Sequence, residues 1–332
     1  VSVPPALAKA GFTNVQLVQA QSAPDGNFPT VASPNPEESA ALAMAVAQAE
    51  ATNADLVIGC DPDTDRVGIA VNDGTDKMQL LNGNDTAALL VHYILDAYKT
   101  NGTLPANGFT AATVVTTDLI ADISAAYGVP CYRCLTGFKW IADIINNKPE
   151  EQFLVGGEES YGYLIGDEVR DKDAVASAVM IAEMAANAKA QGRTVLQQLE
   201  AIHREFGQYQ ERLIAVTKKG RSGAQEIADM MTALRNDPPK TLAGSPVIIA
   251  IDHGKSTQTD LLTGATSSTE LPASNVLQFI TETGDKVSAR PSGTEPKIKF
   301  YFSVRATTGD SHAETKAELE RKIDTFIEEL NL

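Results

Sequence analysis

Cysteine and histidine are both scarce in this chain. It has three cysteines, Cys60, Cys131 and Cys134, and four histidines that are scattered along the sequence. An odd and low cysteine count fits a reducing compartment, so we expect a cytoplasmic protein. Cys131 and Cys134 form a CxxC, but no second CxxC and no histidine cluster would complete a zinc tetrahedron. We interpret the cysteines as buried structural thiols, with a redox pair as the alternative.

The chain also lacks an excess of positive charge and any long apolar run. It has 27 basic and 43 acidic residues, and the formal net charge of −16 argues against a nucleic-acid-binding surface. No apolar run reaches the length of a membrane span, and the start does not look like a signal peptide. We therefore expect neither nucleic acid nor a membrane as a partner, and any phosphate site must be a local cationic pocket.

The length and the pattern of the chain predict its fold class. With 332 residues, of which 43% are hydrophobic, the chain can form two or three domains with substantial cores. Helix-like and strand-like segments alternate through about residue 200, including a strand predicted over 112–117, which is typical of an α/β fold. From about residue 207 several strands follow one another before a closing amphipathic helix over 312–330, which predicts a separate α+β domain.

Three carboxylates alternate in Asp61-Pro62-Asp63-Thr64-Asp65-Arg66, directly after the apolar run 56–60. Anions this close repel one another in a half-buried site, and a hard divalent cation with oxygen ligands removes that repulsion. Mg²⁺ is the ion that such ligands favour. Arg66 indicates that the other partner of the metal is a phosphate. We therefore predict a magnesium site formed by Asp61, Asp63 and Asp65.

Three other interpretations of this loop are less consistent with the residues. An EF-hand would require Gly at position 66 and Glu at position 72, where the chain has Arg66 and Asn72. A haloacid-dehalogenase-type loop would have Thr or Val where the chain has Asp65. A solvated acidic turn is the remaining alternative, but apolar and strand-like segments flank the loop on both sides.

A second polar loop follows the predicted strand 152–156. It reads Gly156-Gly157-Glu158-Glu159-Ser160-Tyr161-Gly162-Tyr163, and its glycines let the backbone turn tightly and approach a ligand. Two carboxylates and a hydroxyl in this setting suit the vicinal hydroxyls of a sugar. The alternative is a plain polar turn. The charged run 170–173 that follows would, by itself, be a solvated helix cap.

A third loop, Arg290-Pro291-Ser292-Gly293-Thr294-Glu295-Pro296-Lys297, lies between two predicted strands. An arginine, two hydroxyls, a glycine and the following lysines Lys297 and Lys299 can cradle a phosphate. A hairpin turn with chance charges is the alternative. Ser33, in Ala32-Ser33-Pro34-Asn35-Pro36, has the look of a nucleophile loop, but nothing nearby in the sequence activates it, and we interpret the segment as the start of an ordinary helix.

Taken together, the three loops resemble those of the α-D-phosphohexomutase family, the phosphoglucomutases and phosphomannomutases. The metal loop (61–66), the sugar loop (157–163) and the phosphate loop (290–297) occur in the order of the family, and Thr136–Trp140 and 170–173 also match. The amino-acid sequences of the loops most resemble those of the phosphoglucomutase branch. The resemblance covers essentially the whole chain.

The resemblance implies two α/β three-layer domains with mixed sheets, followed by the C-terminal α+β domain. The expected boundaries are 1–80 for part of the second family domain, 81–205 for the third and 206–332 for the fourth. The first domain, which carries the phosphoserine in a Ser-His-Asn-Pro-type loop, would then be missing, and we expect this chain alone to be inactive.

The resemblance also implies the roles of particular residues. Asp61, Asp63 and Asp65 would hold Mg²⁺ against the phosphoserine, and Arg66 would face the same phosphate. The sugar hydroxyls and the cleft around them would be contacted by Glu158, Ser160, Thr136 and Lys172, of which Lys172 counters a phosphate or helps proton transfer. The phosphate that does not react would be clamped by Arg290, Ser292, Gly293 and Thr294. Many relatives have a further arginine in the next strand, where this chain has Lys297 and Lys299.

The implied activity is the interconversion of glucose 1-phosphate and glucose 6-phosphate through a sugar bisphosphate. A phosphomannomutase or a phosphopentomutase of the same family is the first alternative. A metal-dependent phosphatase with Asp61 as nucleophile and a non-catalytic sugar-phosphate-binding protein are alternatives of other classes.

Overall fold

A computed structural model describes residues 2–218, 220–293, 295–307, 309 and 311–332, without the side chain of Arg221. Contacts within the chain divide it into two compact units, Val1–Glu205 and Phe206–Leu332, and each is described by itself. None of the helices in the described residues combines the length and the apolar character that crossing a membrane requires.

The first part of the first unit is a three-stranded antiparallel sheet with a helix packed on it. The buried side chains of Leu42, Ala49, Val57 and Ala70 join the helix α3 to the strands. Register pairs Cys60 with Val67, so Asp61–Arg66 is the connection of the first hairpin. The elements are α1 (Val3–Lys9), α2 (Gln19–Ser22), α3 (Ser39–Thr52), β1 (Leu56–Cys60), β2 (Val67–Asn72) and β3 (Met78–Leu81), in the sheet order β1-β2-β3.

The rest of the first unit contains a four-stranded mixed sheet. Its order is β5-β4-β6-β7, with β4 parallel to β5 and β6, and β7 antiparallel to β6. The side chains of Phe109, Ile141 and Phe153 belong to its core. The elements are α4 (Gly83–Thr100), β4 (Gly108–Thr113), α5 (Leu119–Ala126), β5 (Cys131–Cys134), α6 (Lys139–Asn147), β6 (Gln152–Glu158), β7 (Gly162–Ile165), α7 (Ala174–Ala190) and α8 (Val195–Phe206).

Side chains fix the starts of the two long helices in this unit. The Asn82 side chain accepts a hydrogen bond from the Asp85 N–H at the start of α4. Asp173 accepts from the N–H groups of Val175 and Ala176 at the start of α7. Because such caps satisfy backbone donors that a helix cannot satisfy itself, the loops that precede α4 and α7 are held in place.

The second unit is an antiparallel sheet covered by two helices on one face. Buried side chains of α9 and α10, among them Met231, Ile323 and Phe326, pack with Phe279 and Phe300 of the sheet. The sheet order is β12-β11-β10-β13-β14-β15-β8, with β9 paired to β10. The elements are β8 (Gln208–Thr217), α9 (Gly220–Asn236), β9 (Thr241–Leu242), β10 (Ser245–Asp252), β11 (Thr257–Asp260), β12 (Thr266–Ser268), β13 (Leu277–Thr281), β14 (Lys286–Pro291), β15 (Lys297–Ala306) and α10 (His312–Glu329).

The expected fold class, α/β followed by a sheet-rich domain with helices, is confirmed. The predicted division into domains 1–80, 81–205 and 206–332 stays a prediction. One local prediction was wrong, because the strand expected over 112–117 is β4, which ends at Thr113. Residues 114–117 instead form a buried turn, in which the Val114 N–H donates to the Cys134 carbonyl at 2.8 Å and the Thr116 N–H donates to the Thr113 carbonyl at 3.2 Å.

Candidate functional site

The metal loop is the connection between β1 and β2, and Asp61 organises it. One Asp61 carboxylate oxygen, Oδ1, accepts the backbone N–H groups of Asp65 and Arg66, each at 3.0 Å. The chain turns back at Thr64, whose φ of +60° lies in the left-handed region. Oxygen atoms of Asp61, Asp63 and Asp65 all lie within 4.8 Å of one another. The predicted ligands are therefore brought together in one loop.

These three carboxylates differ in exposure and in their partners. Asp61 is buried, with 3% of its surface exposed, whereas Asp65 is half-buried and Asp63 is exposed. Arg66 Nε donates to Asp61 Oδ2 at 2.7 Å, and Lys172 Nζ lies 2.8 Å from Asp65 Oδ2. An all-oxygen donor set with one buried and two more accessible carboxylates fits a hard cation such as Mg²⁺.

The pKa values of the Asp61 and Asp65 carboxyls are shifted in opposite directions. Burial by itself raises the pKa of Asp61, but hydrogen bonds from the Arg66 backbone and guanidinium outweigh burial and lower it. Burial raises the pKa of Asp65, and the hydrogen bond from Lys172 opposes this without cancelling it. Arg66 thus keeps Asp61 ionised. The pKa of Asp65 stays raised, although the Lys172 ammonium favours its ionised form.

The sugar loop lies directly against the metal loop. The N–H of Val67 donates to the Tyr161 carbonyl at 3.0 Å, and the N–H of Ala174 donates to the Thr64 carbonyl at 3.2 Å. A Cβ atom at Gly162 would collide with Cδ of Lys172, so the absence of a side chain there lets the lysine reach Asp65. The structure therefore brings the metal loop, the sugar loop and Lys172 together within the first unit.

Glu158, in the sugar loop, contacts the residue next to Thr136. Glu158 is 6% exposed, and its Oε1 accepts the backbone N–H of Gly137 at 2.7 Å. The neighbouring Thr136 hydroxyl oxygen is buried and has no hydrogen-bond partner in the described part of the chain. Since a buried hydroxyl without a partner is costly, Thr136 fits a site that a hydroxylated ligand completes.

The other residues of the sugar loop take different positions. Ser160 is half-buried, in the short connection between β6 and β7. Glu159 accepts hydrogen bonds from the hydroxyls of Thr116 at 3.2 Å and Thr113 at 3.4 Å. Threonines at and just after the end of β4 therefore hold the Glu159 carboxylate.

The phosphate loop belongs to the second unit, where it connects β14 and β15. Register places Arg290 directly opposite Lys299. Ser292 and Gly293 are exposed, and Thr294 lies outside the described residues. The Ser292 hydroxyl accepts the N–H of Glu295 at 3.2 Å. Because side chains alternate along strands, Lys297 and Lys299 lie on one face together with Arg290, and Lys299 is its cross-strand neighbour.

Comparison with known families agrees with the order of the metal loop and the sugar loop. A family model described as phosphoglucomutase/phosphomannomutase, alpha/beta/alpha domain II, matches residues 1–74. A second one, for alpha/beta/alpha domain III of the same proteins, matches residues 82–206. This chain belongs to the α-D-phosphohexomutase family.

Curated phosphohexomutases are similar to this chain over nearly all of its length. It is 38% identical to a probable phosphomannomutase of Haemophilus influenzae over 301 residues, which are 90% of this chain and 56% of the relative. It is also 38% identical to a phosphoglucomutase of Staphylococcus epidermidis over 303 residues, 91% of this chain and 55% of the relative. The chain thus spans about half the length of these curated phosphohexomutases.

Solved phosphohexomutase structures share the fold. The open form of parafusin, a phosphoglucomutase from Paramecium, matches with a TM-score of 0.58 at 17% identity, covering 83% of this chain and 45% of parafusin. A phosphoglucomutase/phosphomannomutase family protein from Burkholderia thailandensis also gives a TM-score of 0.58 at 17% identity, covering 92% of this chain and 53% of that protein.

Sequence reasoning missed two neighbours of the metal loop in this phosphohexomutase chain. Asn35 Oδ1 lies 3.2 Å from Arg66 Nη1 and accepts a hydrogen bond from it, and Glu37 Oε1 lies 3.8 Å from the same nitrogen. Asn35 belongs to the segment 32–36 that we interpreted only as a helix start, and Glu37 follows it directly. A polar residue between Pro34 and Pro36 was the available signal, but the pattern does not reveal a contact with a residue so distant in sequence.

Proposed function

We propose that this chain is the metal-binding, sugar-binding and phosphate-binding part of a phosphoglucomutase-type phosphohexomutase. The whole enzyme interconverts glucose 1-phosphate and glucose 6-phosphate through a bisphosphate and a phosphoserine that this chain does not supply. The observation that carries the proposal is the meeting of the Asp61–Arg66 loop, the sugar loop and Lys172 in one unit. Membership of the family supports the same function.

In this proposal the metal loop serves the phosphoryl group that is transferred. Asp61, Asp63 and Asp65 would hold Mg²⁺, and a bound Mg²⁺ would offset negative charge on the phosphoryl group. Arg66, held by Asp61 at 2.7 Å, presents a fixed guanidinium to the same group. A fixed cation stabilises developing charge without having to reorganise during the reaction.

The sugar loop would hold the hydroxyls of the substrate. The Glu158 carboxylate accepts hydrogen bonds from them, and the Ser160 and Thr136 hydroxyls can both donate and accept. Lys172 would neutralise a substrate phosphate or pass a proton, since its ammonium already lies among the carboxylates of this region. Groups that both donate and accept suit a sugar that must bind in two flipped orientations.

The phosphate loop would anchor the phosphate that does not react. Arg290, Ser292, Gly293 and Thr294 form the clamp in this proposal, and we assign the missing cation of the next strand to Lys299. The support for Lys299 over Lys297 is its position directly opposite Arg290. A guanidinium and an ammonium on neighbouring strands can bind different oxygens of one phosphate.

The proposed partners are hexose phosphates and the hexose bisphosphate, with no nucleic acid and no membrane, and the proposed location is the cytoplasm. We propose glucose phosphates as substrates, rather than mannose or pentose phosphates, because the loop sequences most resemble those of the phosphoglucomutase branch. The acidic charge of the chain agrees with the absence of a nucleic acid partner.

The test is an assay of the complete encoded protein with glucose 1-phosphate, Mg²⁺ and a trace of glucose 1,6-bisphosphate, with the formation of glucose 6-phosphate as the readout. Mannose 1-phosphate and ribose 1-phosphate in the same assay decide the substrate class. We expect Asp63→Asn to abolish turnover, and Asp229→Asn, on the exposed face of α9, to leave it unchanged.

Two results would contradict the proposal. One is robust mutase activity of the present chain alone, because the phosphoryl carrier would then lie within it. The other is release of inorganic phosphate from sugar phosphates, without isomerisation, in a reaction that Asp61→Asn abolishes. That second result would identify a metal-dependent phosphatase instead.

A further inference from the structure

The turn before helix α3 contacts the arginine of the metal loop. The Asn35 side-chain oxygen accepts two hydrogen bonds, from the Glu37 N–H at 3.1 Å and from Arg66 Nη1 at 3.2 Å. The Glu38 N–H donates to the Asn35 carbonyl at 3.0 Å and closes the turn. The same side chain therefore shapes the turn and contacts the guanidinium.

The orientation of the Asn35 amide follows from its two partners. The Glu37 N–H and the Arg66 guanidinium are both donors, so only the amide oxygen can satisfy them. Rotating the amide by half a turn would place its NH₂ group against two donors and break both hydrogen bonds. The turn therefore selects the orientation in which Asn35 accepts from Arg66.

The guanidinium of Arg66 is held at two of its three nitrogens. Nε donates to Asp61 Oδ2 at 2.7 Å, and Nη1 donates to Asn35 Oδ1 at 3.2 Å with Glu37 Oε1 at 3.8 Å. Within the described residues, Nη2 has no hydrogen-bond partner. With one contact alone, the planar guanidinium could pivot about it, whereas the second contact fixes its plane. The contacts at Nε and Nη1 therefore also fix the direction of Nη2.

A glycine in β2 allows the turn to lie this close. A Cβ atom at Gly68 would be 2.7 Å from the Pro36 carbonyl oxygen and 3.0 Å from Pro36 Cβ, which no side chain tolerates without displacement. Gly68 follows Arg66 by two residues and belongs to β2. The turn is therefore seated on the strand that begins directly after the arginine.

We infer that Asn35 is a positioning residue for Arg66, and that the Asn35–Glu38 turn directs the Nη2 edge of the guanidinium toward the phosphoryl group. This inference rests on the proposed function for its kinetic consequence but not for its structural one. Asn35 itself acts through Arg66 and contacts no substrate. The Glu37 carboxylate lies 3.8 Å from Nη1, the nitrogen that donates to the neutral Asn35 amide, so its negative charge favours the same orientation of the arginine.

The structural consequence can be measured in the present chain by NMR. Rotation about the Cζ–Nη1 bond of Arg66 is slow while Nη1 is hydrogen-bonded, and the signal is assigned by its loss in Arg66→Lys. In Asn35→Ala we expect this rotation to become faster by roughly tenfold or more, because a hydrogen bond to a charged donor is lost. Asn35→Asp, which retains an acceptor oxygen, should preserve the slow rotation.

The kinetic consequence is measured in the complete encoded protein. Asn35→Ala should lower kcat by roughly tenfold, the size of effect typical of residues that orient a group in a site, while KM for the sugar phosphate changes by less than about twofold. Asn35→Asp should recover most of kcat. Asn27→Ala is the matched control, because Asn27 is an exposed asparagine in the loop 25–28.

Gly68→Ala gives an independent test that retains Asn35. It should displace the turn and speed up the Arg66 rotation, whereas Gly26→Ala, where a Cβ atom meets nothing within 4 Å, should not. If Asn35→Ala and Gly68→Ala both fold and leave the rotation as slow as in their controls, the inference is wrong.

The two proposals fail separately. Faster rotation in Asn35→Ala together with an inactive wild-type protein would support the positioning of Arg66 and overturn the proposed mutase function. Faster rotation together with an active wild type and an unchanged kcat in Asn35→Ala would overturn the inference that this positioning serves the reaction.

Discussion

Replacing Lys172 by methionine should strengthen the binding of a divalent cation to the metal loop. Lys172 Nζ lies 2.8 Å from Asp65 Oδ2 and 3.2 Å from Asp171 Oδ1, and 19% of its side chain is exposed. Its stem packs against Gly162, and its Nζ lies 5.7 Å from the centre of the Phe138 ring. Because methionine retains most of that apolar stem, the substitution mainly removes one positive charge.

The magnitude follows from Coulomb's law. A divalent ion on Asp65 and an ammonium about 5 Å away repel one another by about 1.5 to 3 kcal/mol at an effective dielectric constant of about 40 to 80, which suits a partly exposed site. Losing the lysine also loses its ion pair with Asp65, but pairs of this exposure contribute only about 0 to 1 kcal/mol. The dissociation constant should therefore fall roughly 10-fold to 100-fold.

The assay is a calorimetric titration of the chain with Mn²⁺, followed by competition with Mg²⁺, since the same oxygen ligands suit both ions. Lys189→Met is the matched control. Lys189 pairs with Asp55 at 2.7 Å, but its side chain is 68% exposed and the pair lies outside the metal loop. If Lys172→Met binds Mn²⁺ no more tightly than the wild type, or more weakly, then Lys172 orients Asp65 instead of competing with the ion, and the reasoning is refuted.

Three further substitutions test the packing of a helix, a buried ion pair and the proposed phosphate clamp. Gly83→Ala in helix α4 should destabilise the fold by about 1 to 3 kcal/mol in urea denaturation, although alanine normally favours a helix, because its Cβ would collide with the Glu159 carbonyl oxygen. Asp285→Asn should cost about 3 to 5 kcal/mol, because Asp285 is fully buried and its partner Lys322 would be left unpaired. Lys299→Met should weaken glucose 6-phosphate binding in calorimetry by roughly tenfold, since one charge-assisted hydrogen bond is lost.

Each of the three has a control of the same residue type. Gly26→Ala adds a Cβ atom where nothing lies within 4 Å, and Asp229→Asn changes an exposed aspartate of α9. Lys316→Met changes an exposed lysine of α10. A Gly83→Ala protein as stable as Gly26→Ala would contradict the close packing of the sugar loop on α4. Equal effects of Lys299→Met and Lys316→Met would remove Lys299 from the phosphate clamp.

The metal loop was predictable because its determinants are local. Two apolar strands flank three alternating aspartates, and a short polar connection between such strands can only be a hairpin loop, where the carboxylates converge. The grouping of Asp61, Asp63 and Asp65 within 4.8 Å follows from this spacing. The roles of the site residues remain predictions, because they depend on a ligand and on the arrangement of separate units.

The local sequence pattern was misleading at residues 114–117. There the β-branched residues are favoured by burial in a turn and not by pairing in a strand. Val114, Val115, Thr116 and Thr117 look like a strand, but β4 ends at Thr113 and these residues fill a buried turn. The pattern did not distinguish the two, because both environments favour the same side chains. The opposite error concerns 156–163, which we expected to be a loop although most of it is strand. Its first residues belong to β6 and its last to β7, so only residues 159–161 connect the two strands, with Tyr161 at a φ of +68°.

The metal loop divides its tasks among three chemically identical side chains. Asp61 uses Oδ1 for two backbone N–H groups and Oδ2 for Arg66, so it sets the shape of the loop and the direction of the arginine. Asp63 is exposed and Asp65 is half-buried, so both present carboxylate oxygens that a cation can reach, at Asp65 in competition with Lys172. Because the arginine fixed by Asp61 is fixed a second time by Asn35, a segment distant in sequence takes part in the geometry of the loop. In the order Asp-x-Asp-x-Asp-Arg, the first aspartate therefore shapes the loop and holds the arginine, and the other two present carboxylate oxygens to the cation that we propose.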